Sequence, residues 1–187
     1  MYMEKRVKFT KKQFLTLLNI CQTSPIEISG RIDLEEKSYY YALKEIHFDE
    51  SNMINNSSNE EIDYNDLNYF LNISNDIRCS TQNVYVRFHT HPGENGACSP
   101  SQADCETIKR VTNFTQKLKR VNSNEKPLFL ECIITNKSVG FYLYDIEEDK
   151  IYRLPAFVGH KEIIPNISKE EKPEHKSLFE RMGFRQK

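Results

Sequence analysis

Apolar positions change period along this chain. From Lys11 to Cys21, Phe14, Leu17, Leu18 and Cys21 recur at steps of three and four, the spacing of one face of an amphipathic helix. The runs Ile26–Ile32 and Lys37–Phe48 read as strands. In the second, Tyr39, Tyr41, Leu43 and Glu45 alternate with Tyr40, Ala42, Lys44 and Ile46. Residues 2–9 suggest a short lead-in strand, and the Asn/Ser-rich stretch Ser51–Asn59 reads as a surface loop. Asp63–Ile73 predicts a helix capped by Asp63 with Leu67, Phe70 and Leu71 inward. Val84–Phe88 predicts a strand, Pro100 to roughly Arg120 a helix, and Leu128–Thr135, Gly140–Asp145 and Ile151–Leu154 three more strands. Helix and strand alternate with no internal repeat and no Rossmann-type glycines. The expected class is therefore α/β, a mixed β-sheet sandwiched by helices.

The chain's 187 residues suit one domain with a small appendage. We expect residues 1–160 to form that domain and 161–187 a polar tail rich in Lys and Glu. In the tail, Leu178, Phe179, Met182 and Phe184 suggest one short amphipathic helix. A net charge of −1 without a basic run argues against nucleic acid as the main partner. No stretch approaches the apolar length of a membrane span, and Met1 leads into charged residues rather than a signal peptide. Five cysteines at irregular spacing fit reduced thiols, so a cytoplasmic location is expected.

The chemistry is concentrated in Phe88-His89-Thr90-His91-Pro92 and, further on, Ser101-Gln102-Ala103-Asp104. On a strand, a two-residue spacing points both imidazoles to one face. Pro92 favours an extended His91 and ends the strand there. Ser99-Pro100-Ser101-Gln102 reads as a helix start, with Ser99 as N-cap, Pro100 at the first helical position and Gln102 closing a capping box. Ser101 and Asp104 would then share a helical face looking at the end of the histidine strand. Two imidazoles and a carboxylate leave a fourth tetrahedral position for water, as in a catalytic zinc site. Upstream, Glu27 is a lone acid in an apolar run and a candidate general base; Glu35 and Glu36, its possible substitutes, read as the turn of a hairpin. A rival grouping of Cys98 and Cys105 with the histidines matches no common zinc-finger spacing. His47, His160 and His175 read as structural or surface residues.

Glu27-x-x-Gly30, then His89-Thr90-His91-Pro92, then Ser101-x-x-Asp104 resembles the signature of the JAMM (JAB/MPN) metalloproteases, in family order over roughly residues 10–155. Between His91 and Ser101 lie nine residues, Pro92 to Pro100, where the family usually has seven. The resemblance implies a cytidine-deaminase-like JAB/MPN fold and one Zn²⁺ per chain held by His89, His91 and Asp104. It implies Glu27 as general acid/base and Ser101 as oxyanion donor. The implied reaction is hydrolysis of a peptide or isopeptide bond, with a ubiquitin-like protein or its conjugate as partner. The compact form is similar to the prokaryotic JAB branch, with loops 49–62 and 92–99 as specificity elements. Two other expectations stay open at this point: a non-catalytic MPN-type scaffold, and a RadC-like protein linked to DNA repair. The oligomeric state is not legible in the sequence.

Overall fold

Every side chain from Val84 to Thr90 is buried, so strand β4 (Val84–His91) has no solvent face. A strand buried on both faces belongs inside a sheet covered on both sides. The computed structural model, which describes residues 5–48, 67–79, 82–93, 97–118 and 127–164, puts it there. The described elements are β1 (Arg6–Phe9), α1 (Lys11–Thr23), β2 (Ser29–Glu36), β3 (Tyr40–Phe48), α2 (Leu67–Cys79), β4, α3 (Gln102–Thr115), β5 (Leu128–Thr135), β6 (Val139–Asp145), β7 (Lys150–Leu154), β8 (Ala156–Val158) and β9 (Lys161–Ile163). Among the described residues the strands form one mixed sheet, ordered β7-β6-β5-β4-β2-β3-β1-β8-β9. β4 runs parallel to β5 and antiparallel to β2.

Alternation along β4 divides the core in two. Val84, Val86 and Phe88 pack with Leu17, Ile20 and Cys21 of α1. Tyr85 faces the other way, into a cluster with Ile73 and Ile77 of α2, Ile108 and Val111 of α3, and Phe129 and Ile133 of β5. The sheet is thus sandwiched between α1 on one face and α2 and α3 on the other, as the pattern predicts. Burying an aliphatic side chain such as Ile108 stabilises by about 1.5–3 kcal/mol, so these contacts hold α3 against the sheet. Gly30 fits where β2 meets its neighbours. A Cβ there would lie 2.1 Å from the His47 carbonyl oxygen and 2.6 Å from the Phe88 ring.

Several boundaries differ from the sequence reading. The strand expected over Ile26–Ile32 starts at Ser29 and continues to Glu36, so Glu35 and Glu36 end β2 rather than form the turn. β3 begins at Tyr40, and Tyr39 stands 76% exposed in the hairpin connection. α2 runs on to Cys79, and its buried stripe is Ile73 and Ile77; Leu71 is exposed, not inward. Asp63, the expected cap, and the Leu67 side chain lie outside what is described. α3 ends at Thr115, short of the expected Arg120. The pattern also missed β8 and β9, three residues each, too short for a periodic signal. β8 is held by parallel pairing with β1 and β9 by β8, so the sheet continues past residue 160. The expected tail helix, with His175, lies outside the described residues. No helix among the described residues is long and apolar enough to cross a membrane.

Candidate metal centre

His89 and His91 occupy the last turn-ward positions of β4, on the sheet face that carries α3. α3 follows β4 in the chain and presents its first turn to them. The result is one convergent group. His89 Nε2 lies 3.0 Å from His91 Nε2 and 3.2 Å from Asp104 Oδ1, and His91 Nε2 lies 3.5 Å from Asp104 Oδ2. These three residues offer ligand atoms within 4.8 Å of one another and could hold a metal ion. His89 and Asp104 are buried and His91 is half-buried, so one side of the group stays open to solvent.

Hydrogen bonding fixes what the rings present. His89 Nδ1 lies 2.8 Å from Oε1 of Glu131, and His91 Nδ1 lies 2.8 Å from the carbonyl oxygen of Ala97. A carboxylate and a carbonyl only accept, so both Nδ1 atoms donate. In neutral rings both Nε2 lone pairs then point at each other and at a carboxylate. Such a meeting is stable only with a cation between the atoms, a proton or a metal. The electrostatics agree. Burial works against charge on His89, yet its hydrogen bonds to Asp104 and Glu131, and their negative charge, raise its pKa to about 10. Burial would raise Asp104, but its bonds with His89 and His91 and the His89 charge hold it well below the ordinary carboxylate range. Without a metal, His89 therefore carries the positive charge that the two acids demand.

The helix start differs from the expected one. Ser101, not Ser99, is the N-cap, and Gln102 is the first helical residue rather than the end of a capping box. The box is Ser101 with Asp104: Ser101 Oγ accepts from the Asp104 N–H at 3.2 Å, and Asp104 Oδ2 accepts from the Ser101 N–H at 2.7 Å. Pro100 consequently lies just outside the helix. The hydrogen bond that begins α3 also orients the Asp104 carboxylate, as outer partners of metal ligands commonly do. Ser101 itself is exposed at the rim of the group.

Glu27 lies outside the three-residue donor group. It is half-buried on the segment entering β2. There Ser29 pairs with His89, the Thr90 N–H donates to the Ile28 carbonyl at 2.9 Å, and the Ile28 N–H donates to Thr90 Oγ1 at 2.8 Å. Because the Ile28 N–H bonds the Thr90 hydroxyl rather than its carbonyl, the regular ladder ends at Ser29, and Glu27 precedes it on the stretch that leads into β2. Glu35 and Glu36 sit at the far end of β2, about 20 Å along the strand from Ser29. The rival cysteine grouping does not form: neither Cys98 nor Cys105 belongs to the donor group, and the buried Cys98 thiol donates to the Ile133 carbonyl instead. Burial pushes that thiol up to about 12. His47 bonds Asp33 at 3.0 Å, and His160 is exposed.

Sequence reasoning missed Glu131 and the Ala97 carbonyl. Glu131 had a signal, as the lone acid within the apolar strand Leu128–Thr135. Burial pushes the Glu131 carboxyl above the ordinary carboxylate range, while its bond to His89, the His89 charge and the charge of Arg87, buried in register with it, pull the other way. Ala97 acts through its main chain, which no side-chain motif reveals.

Comparison with known proteins adds little to this geometry. No protein-family model and no curated protein matches the chain. Among solved structures it is similar to the solution structure of protein DSY2949 from Desulfitobacterium hafniense, at 15% identity and a TM-score of 0.47. That match covers 83% of this chain and 94% of the other.

Proposed function

We propose that the protein is a zinc metallopeptidase of JAMM type, hydrolysing a peptide or isopeptide bond at the C-terminus of a ubiquitin-like protein. One observation carries the reading: two imidazole nitrogens and a carboxylate converge where a single ion would touch all three. Tetrahedral zinc with bonds of 2.0–2.1 Å sets its donors about 3.3 Å apart. The observed separations of 3.0, 3.2 and 3.5 Å bracket that value. Three protein ligands with a solvent-facing side suit a catalytic rather than a structural zinc.

Bound there, zinc supplies Lewis acidity, polarising a carbonyl and bringing water's pKa down to about 7. The chain's own groups do the rest. Glu27, two residues before the strand position paired with His89, takes the proton from the attacking water and returns it to the leaving amine. Ser101 offers its hydroxyl to the oxygen that becomes negative, helped by the positive end of α3. His89 and His91 stay neutral ligands because Glu131 and Ala97 hold their Nδ1 protons.

Zinc-loaded protein should cleave a ubiquitin-like fusion or isopeptide conjugate, lose that activity to a chelator and regain it with zinc. Partner capture without cleavage would favour a scaffold, and salt-dependent DNA binding would favour the RadC-like alternative.

A further inference from the structure

The two histidines are held by different means. His89 leans on Glu131, a side chain of β5, whereas His91 leans on the Ala97 carbonyl, part of the connection between β4 and α3. A main-chain carbonyl orients a ring only as firmly as the connection itself is held. The next residue supplies that hold. Cys98 is fully buried, its thiol donates to the Ile133 carbonyl at 3.3 Å, and its own carbonyl accepts the Tyr142 hydroxyl of β6. Tyr142 reaches it by lying across Gly140, two residues earlier on the same strand face. A Cβ at position 140 would sit 2.7 Å from Cε2 and 2.8 Å from the hydroxyl oxygen of that ring. Glycine inside a buried strand weakens it and marks a close approach. Here the approaching group is the Tyr142 ring.

We propose that Tyr142 is a positioning residue of the metal centre, acting through Cys98 and Ala97 to keep the His91 ring turned so that Nε2 faces His89 and Asp104. The role rests on the metal-centre reading, but the hydrogen bonds that transmit it exist without a metal. Removing the hydroxyl frees the Cys98 carbonyl, lets the Ala97 carbonyl drift, and leaves His91 Nδ1 without a fixed acceptor. The ring is then held from its Nε2 side alone, and its Nδ1 proton is open to exchange.

The test compares full-length wild type with Tyr142→Phe, and with Gly140→Ala as a second variant that keeps the hydroxyl but displaces the ring. The ring Nδ1–H proton signals, read in metal-free protein, report how firmly each proton is held. We expect the His91 signal to be lost to solvent exchange in both variants, while the His89 signal persists as in wild type. Zinc affinity, read by chelator competition, should fall about 10-fold or more. An unchanged His91 Nδ1–H signal would overturn the proposal, as would equal loss of the His89 and His91 signals, which is what general loosening produces. Wild type that takes no zinc but shows the selective His91 response would sink the metal reading and leave the brace standing.

Discussion

Oε1 of Glu131 lies 2.8 Å from Nδ1 of His89, and the two side chains are only 3% and 2% exposed. A buried carboxylate behind a buried imidazole fixes the ring's tautomer and strengthens its other nitrogen as a donor to metal. Glu131→Gln preserves volume and an acceptor oxygen but removes the charge. It should fold normally and bind metal about 10- to 100-fold more weakly, measured by chelator competition. Undiminished affinity would reduce Glu131 to a packing residue.

Ser101→Ala separates two roles. Losing the cap should cost about 1 kcal/mol of stability, seen as a lower urea midpoint. Metal should remain, because the backbone N–H of residue 101 still holds Asp104. If the hydroxyl also meets the developing oxyanion, turnover falls by a further amount worth about 2–4 kcal/mol. A wild-type rate beside the lower midpoint would leave Ser101 as a cap alone.

The pH dependence of the metal-free protein follows from two opposite shifts. His89 is raised to about 10 in the fold, so its stabilisation is full below about 6.5, the unfolded value, and is lost as pH climbs through 10. Asp104 is depressed, so its contribution is present above about 4 and is lost as pH falls below that. Denaturant titrations of metal-free protein should therefore show stability declining on both sides of the range between those values. Because metal must displace the His89 proton, its apparent affinity should rise about tenfold per pH unit from pH 7 toward 10. A flat profile in isothermal titration would contradict the charge assignment.

Glu27→Gln should leave metal content and fold intact while abolishing cleavage of a ubiquitin-like fusion. Its position, next to the Ile28–Thr90 pairing and outside the donor group, predicts that separation. A fully active variant would require a different base.

What was legible in the sequence is what local geometry decides. The two-residue spacing of His89 and His91 and the helical placement of Asp104 needed only strand and helix periods. Where the helix begins was not decidable that way, because Ser99-x-x-Gln102 and Ser101-x-x-Asp104 both satisfy a capping pattern. In the structure the second pair wins, and its Asp104 is also the residue that faces the histidines. Glu131 was visible as an odd acid in an apolar strand, but its partner lies 42 residues away and arrives only through the parallel pairing of β4 with β5. β8 and β9 owe their existence to such long-range pairing too, and their own three-residue patterns say nothing.

The central claim is that His89, His91 and Asp104 hold a zinc ion, and elemental mass spectrometry of purified protein tests it most directly. Wild type should carry about one zinc per chain, and Asp104→Asn, which keeps a side-chain acceptor for the cap, should fold yet carry almost none. Wild type without zinc after reconstitution, iron in its place, or a variant that keeps full zinc occupancy would contradict the account.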